Sequence, residues 1–288
     1  MKSFSCKPKK KGYDSIVKTF QKGERIMLKI LLALLFVFGI CDVKAQDSDV
    51  QNQDVEVSEP ADEEENLEAR VEELTLNLES QVGRWSLNDV ETLKKANFDF
   101  AQKDGLNNPI LYYALSQNPD IEVIKKIIEY GADVNAPAQN GMLPINVCTS
   151  KANEIQLKLM MMKTMGFDMA EPEVEAELEK RVFFEMSKMT ELAAFLIDNG
   201  ADINKESPLG TPLMNAVTNK WNTDIVALLI KYGAKINQKD RDGRTALFYA
   251  FSSGNDDLVT MLIKAGADTE ITDKKGQTYL ELERPKYE

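Results

Sequence analysis

An eight-residue phrase comes back along this chain at fixed distances, and no other feature limits the fold so sharply. "IEYGADVN" at Ile128–Asn135 returns as "IDNGADIN" at Ile197–Asn204, "IKYGAKIN" at Ile230–Asn237 and "IKAGADTE" at Ile263–Glu270. The glycines, Gly131, Gly200, Gly233 and Gly266, are separated by 69, 33 and 33 residues. Before each glycine runs an amphipathic stretch such as "DIVALLIKYG", in which Ile225, Val226, Leu228 and Leu229 mark a helix with a buried face and Gly233 falls where a left-handed C-cap is needed. After it come a turn, "DRDGRT" or "DKKGQT", and a second short helix, "TPLMNAV" or "TALFYAF", opened by Thr211 or Thr245. A unit of this size cannot bury its own apolar face, so the core must come from stacking one copy on the next.

These residues resemble the ankyrin repeat, through "GADVN", "GADIN", "DGRTAL" and "GTPLMNAV", with Asp120, Asp224 and Asp257 opening the second helices. The resemblance implies an all-α solenoid with short β-turn fingers and capping helices. The family's T-P-L-H tetrapeptide appears without its histidine, as "TPLM" at Thr211–Met214, "TALF" at Thr245–Phe248 and "LPIN" at Leu143–Asn146. That histidine helps tie neighbouring turns together in the family, so its absence implies a locally looser stack. On this template the long interval is filled by a further unit ending at Gly166, 35 residues after Gly131 and 34 before Gly200. Another unit ends at Asn97, 34 residues before Gly131, where asparagine takes the left-handed cap. About six units are expected.

The unit after Gly166 departs most from the pattern. Its turn is replaced by "MAEPEVEAELEKR", with glutamates at 171, 173, 175, 177 and 179. A weak cation site or acidic recognition strip is one reading; a solvated helix start near Pro172 is preferred, because charge runs usually face water. Met160, Met161, Met162 and Met165 point in different directions on a helix, which favours core packing with one or two exposed over a soft metal site. At the ends, Leu67, Val71, Leu74 and Leu78 share one face of an N-terminal capping helix, and "GQTYLELERPKYE" is a polar C-terminal cap.

Four segments are expected. Residues 66–288 form the repeat domain, and residues 46–65, acidic and without aromatics, form a disordered tether. Residues 27–45, "MLKILLALLFVFGICDVKA", read as a signal peptide cut after Ala45. The apolar run Ile30–Cys41 is shorter than the roughly 18 residues a spanning helix needs, and Ile40 disfavours a lipid-modified Cys41. Residues 1–26 are basic and polar, either an extended n-region or an untranslated leader with Met27 as the start. The expected location is periplasmic or secreted. The first 45 residues sum to +7, so a total of −12 leaves −19 on the remainder. Such a chain does not attract nucleic acid or anionic lipid through its overall field.

Catalysis has few footholds here. There is no histidine, which removes the commonest general base and zinc ligand, and Cys6, Cys41 and Cys148 are too scattered for a thiolate metal site. No cofactor is expected. The resemblance instead implies a monomeric protein-binding module with a concave surface of turn tips and first helices. By motif position that surface runs through Asn140, Met142, Glu206 and Leu209, then Lys239, Arg241, Arg244, Tyr249 and Ser252, and finally Lys274 and Lys275. The basic residues in the last two turns imply an acidic patch on a protein partner. An inhibitor or chaperone of a secreted enzyme, or a host-directed effector, are the alternatives, and an enzyme built around Asp, Glu, Lys or Cys148 is the rival class.

Overall fold

The computed structural model describes residues 60–118, 120–164 and 172–282. The signal-like segment 27–45 and Gly166 lie outside the described residues, as does the tether up to residue 59. Two compact units make up the chain: one holds residues 50–151 and 186–288, and the other includes residues 152–185.

Regular structure among the described residues is helical, with isolated bridges at Lys103–Pro109 and Ser207–Gly210. The helices are α1 (Pro60–Thr75), α2 (Leu78–Gln81), α3 (Leu87–Lys95), α4 (Ile110–Gln117), α5 (Ile121–Glu129), α6 (Pro144–Thr164), α7 (Pro172–Asp198), α8 (Pro212–Ala216), α9 (Thr223–Lys231), α10 (Ala246–Ser252) and α11 (Asp256–Lys264). Helix α1 begins at Pro60, so the last six residues assigned to the tether are helical.

In the larger unit one local device ends the second helix of five described repeats, and it recurs after the first helix α10 at Gly254, where Asn255 donates to the Ala250 carbonyl at 3.3 Å. Asn97, Gly131, Gly200, Gly233 and Gly266 all take positive φ, between 57° and 107°. The residue after each donates its N–H to the carbonyl five positions earlier: Phe98 to Leu93, Ala132 to Ile127, Ala201 to Leu196, Ala234 to Leu229 and Ala267 to Leu262, at 2.9–3.2 Å. This is the six-to-one bond of a Schellman cap, and it needs a left-handed residue at the reversal. The acceptors Leu93, Ile127, Leu196, Leu229 and Leu262 are all fully buried. Cap and core thus share a register, so the bond that ends each helix also fixes which face it buries. Each such leucine or isoleucine contributes about 1.5–3 kcal/mol by burial.

The starts of the helices follow from the sequence with small shifts. Asp120 caps α5 through the N–H of Glu122 at 2.9 Å, and Thr211 caps α8 through that of Met214 at 3.2 Å. Asp224 and Asp257 sit in the first turns of α9 and α11, and the N-cap positions belong to Asn222 and Asn255. Ser86 and Asp89 close a reciprocal capping box on α3, and Arg70 from α1 reaches Asp89 at 2.6 Å. Trp85 donates its indole N–H to the Leu74 carbonyl at 3.3 Å, fastening α1 to the first repeat.

The number of layers differs from the sequence expectation. Asn204 accepts the N–H of Lys235 at 2.7 Å, and Asn237 accepts that of Asp268 at 2.8 Å, each across 31 residues to the next layer. Asn135 makes the equivalent bond to the N–H of Asp202 at 2.8 Å, across 67 residues. Its amide also donates to the Gly200 carbonyl at 2.8 Å. Deeper in the core, Asn215 donates to Thr149 Oγ1 at 2.8 Å and Asn222 to the Thr149 carbonyl at 2.9 Å. The layers ending at Gly131 and Gly200 are therefore direct neighbours, and the layer assigned to Gly166 is not stacked between them. Among the described residues five repeats of this unit end their second helix in such a cap, and residues 152–185 are an insertion within one repeat.

That insertion supplies parts of two long helices, α6 with 21 residues and α7 with 27, where the sequence predicts pairs of short ones. Ala152, Ile155 and Met162 are buried on α6, and Val174, Leu178 and Val182 on α7, each at helical spacing. Helix α7 starts at Pro172 as the sequence predicts, with Glu173, Glu175 and Glu179 exposed.

Candidate protein-binding surface

Each finger of the larger unit is built by a side chain that accepts from the backbone of its own turn. Asp104 accepts from the N–H groups of Leu106 and Asn108, Asp240 from Asp242 and Arg244, and Asp273 from Lys275 and Gln277, at 2.8–3.1 Å. Asn140 does the same for Met142 at 3.0 Å, and Ser207 for Leu209 at 3.1 Å. Short polar side chains at a turn's start favour this geometry, which is why Asp, Asn and Ser occupy the position.

Adjacent fingers touch. Asn108 accepts from the N–H of Gln139 at 2.8 Å, which joins the first to the second. A Cβ on Gly141 would lie 2.8 Å from Pro208, so the second and third are in contact. Gln238 donates to the Asn204 carbonyl at 3.2 Å, linking the third layer to the fourth. The N–H of Lys274 donates to the Asp242 carbonyl at 2.9 Å, joining the last two tips directly. The turns are thus held firmly without a histidine, contrary to the looser stack expected from the altered tetrapeptide.

Tyrosine does part of that tying. Tyr113 donates its hydroxyl to Asp104, and Tyr249 to Asp240, each pinning a first helix to its own finger. Burial and the neighbouring carboxylate push both phenols up to about 12. Burial pulls the Asp104 carboxyl upward, but the hydrogen bonds from Tyr113, Asn108 and Leu106 prevail and hold it below its ordinary value.

The expected binding residues fall into two groups. Lys239, Arg241, Lys274 and Lys275 are exposed on the last two fingers, and Asn140, Glu206 and Leu209 are exposed on the second and third. Met142 and Ser252 are half-buried. Arg244 does not reach out as freely as its turn position implies: it lies 3.6 Å from the buried carboxylate of Asp273. Burial pulls the Asp273 carboxyl upward, but backbone donors from Gln277 and Lys275, with Arg244 beside it, hold it low. Tyr249 is likewise committed internally, to Asp240. Sequence reasoning passed over the first finger, where Lys103 and Leu106 stand beside Asp104; the dipeptide Asp104-Gly105 was the available signal.

For a catalytic reading, Cys148 is buried and desolvation pushes its thiol up to about 12, so no thiolate nucleophile is available there near neutrality. Among the described residues no group of three or more His, Cys, Asp or Glu is placed to hold a metal ion. No described helix is long and apolar enough to cross a membrane.

Residues 185–273 fit the family model for ankyrin repeats in three copies. The matched span begins where the insertion ends, and it covers the regular caps at Gly200, Gly233 and Gly266. No curated protein matches the chain.

Proposed function

We propose that this chain is an exported, non-enzymatic protein-binding module that takes an acidic patch of its partner on the last two fingers. Ankyrin repeats are general protein–protein interaction modules, which supports the class of function. One observation carries the choice of surface. Lys239 and Arg241 stand exposed on one finger, Lys274 and Lys275 on the next, and the Lys274–Asp242 bond holds those fingers together. With Arg244 these four cations outnumber Asp240, Asp242 and Asp273 on the same two fingers, five to three, in a chain of net charge −12. Such an arrangement steers an acidic partner and raises its association rate more than its affinity.

The signal-like segment 27–45 supports the reading of export, with the partner then sought in the periplasm or beyond. The test is affinity capture from an envelope extract with the chain from Gln46 onward, followed by kinetics with the captured protein. Arg241→Glu with Lys274→Glu should slow association and flatten its salt dependence, with dissociation little changed. Association unchanged at low salt would move the binding face away from these fingers.

A further inference from the structure

We propose that a cleft between the N-terminal cap and the first finger binds a lysine or arginine side chain of a protein partner, at a site separate from the last two fingers. The cleft has a volume of about 340 Å³, within the range of sites that hold a small group. Thr75, Asn77, Leu78 and Glu79 line it from the cap, and Asp104 and Leu106 from the finger. No lysine or arginine is among its lining residues. Both walls are fixed before anything binds. The Trp85 indole holds the Leu74 carbonyl, one residue before Thr75, and Asn77 turns the chain from α1 to α2 in the left-handed region, φ 61° and ψ 66°. On the finger, the Asp104 carboxylate gathers the N–H groups of Leu106 and Asn108. Preformed walls leave little ordering cost to binding.

Charge and wall chemistry select the occupant. Glu79 is exposed and makes no ion pair among the described residues. Asp104 is bonded only by neutral donors, Tyr113 and the two backbone N–H groups, which hold its carboxyl below its ordinary value and so ionised at neutral pH. Lys103, its neighbour in sequence, is committed to the second finger, donating to the Pro137 carbonyl at 3.4 Å. The charge of Glu79 also helps to raise the Tyr113 phenol that Asp104 binds, so the two carboxylates act on a common point. A cation entering the cleft meets both without a competing one. A bare metal ion fits less well, since it needs several oxygens and no described group of three or more acidic residues is placed to supply them. Leu78 is half-buried and Leu106 is 53% exposed, which gives the cleft an apolar wall. A basic side chain lays its apolar stem on such a wall while its charged head reaches a carboxylate. Leu76, between the lining residues Thr75 and Asn77, is 69% exposed and can meet an apolar residue next to that cation.

The test is an NMR titration of the full nitrogen-15-labelled chain with a capped pentapeptide carrying one lysine between two leucines. A second peptide has norleucine in place of the lysine, the same stem without the ammonium group. Saturable shifts of the Asn77–Glu79, Gly105 and Leu106 amides are expected with the lysine peptide, weakening with salt. The norleucine peptide should bind at least about threefold more weakly, and Glu79→Gln should cause a similar loss, while Arg241→Glu leaves binding unchanged. Asp104 builds its own finger and is left intact. Gly105 also lines the cleft; its φ lies outside the left-handed region, and a Cβ there would meet nothing within 4 Å. Gly105→Leu is therefore expected to fold, to fill the cleft and to abolish binding; urea melts check the fold, and Glu79→Gln, at an exposed position, carries the comparison if that variant is unstable. Equal binding of the two peptides, lysine-peptide binding that survives these substitutions, or the absence of saturable shifts overturns the proposal. So do shifts confined to the last two fingers.

Discussion

Asn135 reaches 67 residues along the chain to Asp202: its side-chain oxygen accepts the Asp202 N–H at 2.8 Å, and its amide donates to the Gly200 carbonyl at the same distance. Asn237 makes the same pair of bonds to Asp268 and Gly266 at 2.8 and 3.1 Å, but to the immediately following repeat. If the two contacts are equivalent, Asn135→Ala and Asn237→Ala should each lower stability by about 1–2 kcal/mol, two ordinary hydrogen bonds. Chemical denaturation checks this. An Asn135→Ala variant as stable as the parent would mean that the layers at Gly131 and Gly200 are not joined as described.

Deleting residues 152–185 should leave a foldable stack. The cut shortens the Gly131–Gly200 interval from 69 residues to 35, close to the 33 of its neighbours. The deletion variant is expected to melt in one cooperative transition and to keep its helical circular dichroism per residue. Loss of cooperativity would show that the insertion supplies core contacts the larger unit depends on.

Two glycines with similar backbone angles should respond differently to alanine. Gly233 has φ +85° with open space around its missing Cβ, while Gly243 has φ +80° and a Cβ there would lie 3.3 Å from Asp273 Cα and Lys274 N. Gly233→Ala carries only the left-handed strain, about 1 kcal/mol. Gly243→Ala adds a backbone clash between neighbouring fingers and should cost roughly 2–3 kcal/mol. Equal midpoints in urea would refute the close approach of those fingers.

Alkaline pH should loosen the fingers. The phenols of Tyr113 and Tyr249 are raised in the fold from 10.0 to about 12. A group whose folded value is raised stabilises fully below its unfolded value and loses that contribution as pH climbs through the folded one. The melting temperature should therefore fall between about pH 10 and 12, and phenolate absorbance should lag behind that of free tyrosine. Tyr249→Phe should lower stability by about 1–2 kcal/mol at neutral pH and reduce the alkaline loss.

The two finger arginines should separate binding from folding. Arg241 is exposed, so Arg241→Glu should leave the melt within about 0.5 kcal/mol of the parent. Arg244→Glu puts a carboxylate beside that of Asp273 and should destabilise measurably, more so at low salt. Identical melts for the two variants would show that the Arg244–Asp273 contact contributes nothing.

The sequence alone determined the repeating parts of this protein, because they rest on short-range physics. A helix of nine or so residues with one apolar face, reversed by a left-handed residue, needs only its own neighbours to specify it. Even Asn97 was legible as a cap, with φ 57° in the fold. The turn tips were legible for the same reason, as short acceptors followed by glycine. Tertiary structure decided which layers touch. Gly166 stands at the correct spacing on paper, yet spacing cannot distinguish a stacked unit from an insertion of nearly the same length. Only the Asn135–Asp202 bond, made across 67 residues, does so. The inward commitment of Arg244 and Tyr249 was hidden likewise, since each is held by a partner that its motif position does not reveal. The sequence expected one or two of the methionines near residue 160 to be exposed, and the fold decides which: Met162 is buried, while Met160 and Met161 are exposed.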